Sequence, residues 1–151
     1  MEALPYNIRV MEKILQEYGS MDAFVNTYPA NELVEKLSSN TSKYKLKMMG
    51  KALIWEYFRN VGIDGAKPDV HIKRFLSNKR MGYGNHSPAT EKEVYDTIKQ
   101  LAYETGLTMI AIDAILWSYC ADGYGAICTA NPHCHNCCIK GMCHYDTMHV
   151  I

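Results

Sequence analysis

Four cysteines near the end of the chain, Cys128, Cys134, Cys137 and Cys143, are separated by five, two and five residues. That spacing lets one short, loop-rich segment wrap four thiolates around a single centre, and the intervening Pro132 and Gly141 suit the tight turns such wrapping needs. Thiolates grouped in this way are ligands for iron-sulfur clusters or for zinc. The implied chemistry is an iron-sulfur cluster. A tetrahedral zinc site is the competing reading, because His133, His135 and His144 lie among the thiols. Cys138 adjoins Cys137 and can replace it with only a change of local register, whereas Cys120 falls in an apolar helical stretch and reads as a core thiol. All six cysteines lie between Cys120 and Cys143, so the first 119 residues hold none to be stapled. Clustered thiols in a reducing compartment mark a metal more often than a disulfide framework.

The elements that must position these thiols are helical. Ile8, Met11, Ile14, Leu15 and Tyr18 recur at helical spacing before Gly19. Ser20 then reads as the cap of a short helix, and Pro29 to Leu37 as a second. Lys43, Lys45, Lys47 and Lys51 surround Gly50, opening a helix whose apolar face is Leu53, Ile54, Tyr57, Phe58 and Val61. After a loop at Gly65 to Asp69, the pattern from Val70 to Arg80 predicts an amphipathic helix with Lys73, Arg74, Lys79 and Arg80 on its basic face. The segment from Met81 to Thr90 is a connection, and two further helices follow at Glu91 to Thr105 and Leu107 to Tyr119. The sequence contains no convincing strand or internal repeat, so the expected fold class is all-α.

A chain of 151 residues fits one compact domain, or two small lobes sharing a core. Nearly half the residues are apolar and about a fifth charged, which excludes disorder, while equal numbers of basic and acidic residues neither require nor forbid a polyanionic partner. No apolar run is long enough to span a bilayer, and the first ten residues do not read as a secretion signal, so a cytoplasmic location is expected, with no membrane partner.

The run from Leu116-Trp117-Ser118-Tyr119-Cys120 through Gly125, Cys128, Pro132, Cys134, Cys137, Cys143 and Tyr145 resembles the C-terminal iron-sulfur segment of the endonuclease III and adenine-glycosylase relatives. Its first interval, Thr129 to His133, is one residue shorter than theirs. Upstream, Lys67-Pro68-Asp69-Val70-His71-Ile72-Lys73-Arg74-Phe75-Leu76 resembles the segment in which this superfamily presents its catalytic aspartate at a helix start. Leu46-Lys47-Met48-Met49-Gly50-Lys51-Ala52 occupies the place of the family's helix-hairpin-helix turn, keeping Leu46 and Gly50 but carrying Lys47 and Met48 where Pro and the first Gly usually stand.

The resemblance implies a helix-hairpin-helix DNA glycosylase-like domain over residues 1–151. Within it, 1–66 form a shortened helical-barrel lobe with the hairpin, 67–127 a helical lobe, and 128–145 a loop around a 4Fe-4S cluster. It implies a monofunctional base-excision N-glycosylase acting on a damaged or mismatched base flipped out of double-stranded DNA. Asp69 would be its catalytic carboxylate, and Lys47, Gly50 and Lys51 would bind the DNA backbone. The lysine that bifunctional members use for a Schiff base is replaced by Ala52, so no lyase activity is implied. DNA binding would associate the protein with the nucleoid. An aspartate in this position is also an ordinary helix cap. The alternatives are a non-catalytic iron-sulfur DNA-binding module and a zinc-binding interaction protein. The lesion and the oligomeric state are left open, a homodimer being one way to complete a shortened barrel.

Overall fold

In the computed structural model, residues 3–145 are described, so the outermost residues of the expected 1–151 domain lie outside the description. The described residues form seven α-helices and no strand: α1 Ala3–Tyr18, α2 Met21–Thr27, α3 Ala30–Ser38, α4 Lys51–Asn60, α5 Val70–Phe75, α6 Glu91–Thr105 and α7 Met109–Cys120. The chain divides into two compact units, Met1–Ile63 and Asp64–Ile151. None of the helices among the described residues is long and apolar enough to cross a membrane.

In the first unit, α1 packs on α2 and α3 on α4. Ser20 caps α2 by accepting the Ala23 N–H at 3.0 Å. Phe24 is fully buried, with the rings of Tyr18 and Tyr44 edge-on to it at centroid distances of 5.0 and 5.3 Å. The phenol groups of this cluster satisfy one another: Tyr18 and Tyr28 share a hydrogen bond of 2.9 Å, and the Tyr44 hydroxyl donates to Glu17. On α4 the buried side chains are Ile54, Trp55 and Phe58, whereas Leu53, Tyr57 and Val61 of the expected apolar face are exposed. The apolar stripe of α4 is wider than the surface that α3 covers.

In the second unit, α7 packs against both α5 and α6 around Ile72, Leu76, Val94, Ile98 and Ile112. Helix α6 begins with a complete capping box, in which Thr90 accepts the Glu93 N–H and Glu93 accepts the Thr90 N–H. It ends at Gly106, whose φ of 72° is open to glycine at no steric cost. The basic helix expected from Val70 to Arg80 stops at Phe75. Beyond it the Ser77 hydroxyl donates to the Arg74 carbonyl at 2.8 Å, and the Met81, Gly82 and Gly84 amides fold back onto Phe75, Ser77 and Leu76. This turn changes where the basic residues point. Arg80, expected on a solvated face, is only 5% exposed.

Candidate metal centre

The cysteine loop is carried by the end of α7. Gly125 donates to the Ser118 carbonyl at 2.9 Å, and a Cβ there would lie 2.9 Å from that same oxygen, so only glycine permits this approach. Ala126 follows with φ 52°, and the Ile127 and Cys128 amides both donate to the Tyr119 carbonyl, at 3.0 and 3.2 Å. This reversal folds Cys128 back into the core beneath α7. Two single 3-10 turns, Cys134–Asn136 and Lys140–Met142, then bring round the remaining thiols: Cys137 donates its N–H to the Cys134 carbonyl and Cys143 its own to Lys140.

Cys128, Cys134, Cys137 and Cys143 all line one small cavity of about 20 Å³, bordered also by Arg80, Ile127, Pro132, Lys140 and Tyr145. Cys138, the alternative to Cys137 in sequence, is exposed and outside this lining. His133, His135 and His144 are likewise exposed and outside it. Among the described residues no three His, Cys, Asp or Glu side chains converge closely enough to hold a metal ion directly. The four thiols border a shared space rather than meeting at a point.

Hydrogen bonds reach the sulfurs from both sides of the loop. The Arg80 guanidinium donates to Cys128 Sγ at 2.9 Å, and the Tyr119 hydroxyl donates to Cys137 Sγ at 3.1 Å. A hydrogen bond from Cys120, together with the charges of Arg80 and Arg74, outweighs the effect of burial and lowers the Cys128 thiol to about 6. The same contact with Cys128, reinforced by burial, raises Cys120. Burial is also the main reason that the Tyr119 phenol is raised, followed by its bond to Cys137. Cys120 is therefore not a bystander in the core, since it contacts the first thiol of the loop.

Asp69 opens α5. Its Oδ1 accepts the N–H groups of His71 and Ile72 at 2.9 and 3.1 Å, while Oδ2 has no hydrogen-bond partner among the described residues. Capping therefore occupies one carboxylate oxygen and leaves the other available. The loop ahead of it is pinned to α7 at two points. Asp64 accepts the Met109 and Ile110 amides at the start of α7, at 3.2 and 3.0 Å, and the fully buried Asp113 accepts the Lys67 N–H at 2.9 Å. His71 bonds Arg74 through Nδ1 at 3.1 Å and lies edge-on to Trp117, a structural arrangement.

In the first unit the basic turn is pinned to α1 by Asn7, which accepts the Lys47 N–H at 2.7 Å and donates to the Lys47 carbonyl at 3.2 Å. Met48 follows with φ 63° and an 81% exposed side chain, adopting a left-handed backbone at the position where the resembled hairpin carries glycine. Gly50 caps α4 without any side-chain bond, and the Lys51 ammonium is paired with Glu35. Of the expected DNA-contacting residues, Lys47 and Gly50 are exposed and Lys51 is engaged within its own unit.

Comparison with family models, with curated proteins and with solved structures found no match. The site therefore rests on its own geometry. Three of its residues, Arg80, Tyr119 and Asp113, escape a reading of the sequence. Arg80 is masked by a helical pattern that continues past the true helix end, and Tyr119 is indistinguishable in pattern from the other tyrosines of the chain. The only signal for Asp113 is a lone carboxylate in an otherwise apolar helix, Met109–Cys120.

Proposed function

We propose that this protein is an iron-sulfur, monofunctional DNA N-glycosylase related to endonuclease III and the adenine glycosylases, with Cys128, Cys134, Cys137 and Cys143 as cluster ligands and Asp69 as catalytic carboxylate. One observation carries the reading. Arg74 stands on the short helix that Asp69 opens, and its guanidinium reaches the Cys128 carbonyl at 3.4 Å, so the two motifs are joined in one packed unit. The donor set suits a cluster. Four thiols lining one cavity are the donor set of a cubane cluster, and the same four serve zinc, so metal analysis decides between them. When bound, the cluster supplies rigidity and a local charge rather than a step in hydrolysis.

The chain's own residues supply the chemistry. Cleavage of an N-glycosidic bond places positive charge on the sugar, and a carboxylate oxygen beside the anomeric carbon stabilises that charge and orients the attacking water. Asp69 Oδ2 suits this role, because Oδ1 is held by two backbone N–H groups that fix the carboxylate plane. Lys47 and the backbone at Gly50 suit phosphate contacts that hold a duplex distorted by base flipping. Lys140, exposed at the rim of the cysteine cavity, suits a further backbone contact.

Anaerobic purification with visible absorption and iron, sulfide and zinc analysis tests the centre: about four iron and four sulfide per chain are expected. One zinc and no iron would overturn it and return Asp69 to the role of a helix cap. Excision assays on duplexes carrying damaged or mismatched bases test the reaction. An Asp69→Asn variant that kept full activity would remove the carboxylate from the mechanism.

A further inference from the structure

Arg80 is a guanidinium with 5% exposure and no carboxylate partner among the described residues. Its contacts are Cys128 Sγ at 2.9 Å, the carbonyls of Thr129 and Ala130 at 3.1 and 3.4 Å, and the ring of Tyr145 at 4.5 Å. A charge removed from water without an opposite charge is strongly disfavoured, so the position demands an anion. Of the groups that accept its hydrogen bonds, a sulfur and two carbonyls, the sulfur is the one that can carry that charge. Arg80 also ties the two ends of the loop together, because its own carbonyl accepts the His144 N–H at 2.8 Å, next to Cys143. The turn that follows α5 thus holds the first thiol through its side chain and the neighbour of the last through its backbone.

We propose that Arg80 is the internal counter-charge of the cysteine centre, retaining the cluster through Cys128 and raising its reduction potential. This rests on the cluster reading above. Reduction of the centre by an electrode adds one electron to the iron-sulfur core and breaks no bond, so the core gains one negative charge. A fixed positive charge in low dielectric at a ligand sulfur favours the more negative state. Tyr119 is a neutral donor to Cys137 and acts in the same direction with smaller effect. Arg80 touches no substrate in this account and is a positioning residue.

The test compares the parent protein with Arg80→Met, Arg80→Lys and Tyr119→Phe, measuring iron and sulfide content, the rate of iron loss to a chelator and the midpoint potential by voltammetry. Arg80→Met is expected to lose iron faster than the parent and, in the fraction that retains its cluster, to show a more negative potential. Arg80→Lys keeps the charge without the planar fork and is expected to fall between the two. Tyr119→Phe gives a smaller shift of the same sign. Parental iron retention and parental potential in Arg80→Met would overturn the proposal while leaving the cluster intact. So would an Arg80→Lys variant no better than Arg80→Met in both readouts. If Arg80→Met does not fold, Arg80→Lys and Tyr119→Phe decide, and parental potentials in both overturn the proposal. A parent protein without iron overturns both this inference and the cluster reading, and metal analysis of the parent alone identifies that case.

Discussion

Substituting Asp113 tests whether the loop carrying Asp69 is held by α7 or only rests on it. The carboxylate is 1% exposed and accepts the Lys67 N–H at 2.9 Å, two residues before Asp69. Asp113→Ala removes the acceptor, leaves that N–H without its bond and opens a small void among α7 and its neighbours. Leaving a buried donor without its acceptor costs about 1 to 3 kcal/mol. With incomplete collapse of the void, the total is about 2 to 4 kcal/mol. Asp113→Asn keeps an acceptor oxygen and the side-chain volume, and is expected to retain more than half of that stability. Urea unfolding of the purified protein measures both values, and hydrogen exchange at the Lys67 amide locates the effect, since protection there falls in Asp113→Ala before the core of α6 responds. A loss below about 0.5 kcal/mol, the range of ordinary surface substitutions, with unchanged exchange at Lys67, would refute the idea of a clamp.

Cys137→Ser is expected to abolish stoichiometric iron binding and Cys138→Ser to preserve it, because only the former lines the shared cavity; iron analysis of the two variants decides. Glu93 is held at a pKa of about 2, mainly by the Thr90 N–H, with His86 and the Asn85 N–H adding to it. A depressed folded value means that its contribution is full above its ordinary value of about 4.5 and is lost as pH falls from there towards 2. Thermal melts of Glu93→Gln over that range are therefore expected to show a shallower acid decline than the parent. At Met48, where φ is 63°, a β-branched Val is expected to destabilise by about 1 to 2 kcal/mol, whereas Gly should be tolerated; chemical denaturation ranks the two.

Periodicity and caps were enough to read most of the helices, the end of α5 excepted. Gly19, Ser20, Thr90, Glu93 and Gly106 act within a few residues of themselves, so their signals are local and survive without knowledge of the fold. The four-cysteine spacing was legible for the same reason, since two short turns and a reversal suffice to place the thiols around one cavity. Tertiary structure decided what sequence could not order. Cys137 and Cys138 are equivalent as residue types, and only the turn after Cys134 sends one into the cavity and the other to solvent. The run from Val70 to Arg80 carries a helical pattern, yet contacts back to Phe75, Leu76 and Ser77 end the helix early and turn Arg80 inward. Asp113 reaches Lys67 across 46 positions, and Arg80 reaches Cys128 across 48. Partners that distant leave no mark in local pattern, because a buried charge is tolerated only where the folded chain delivers its complement.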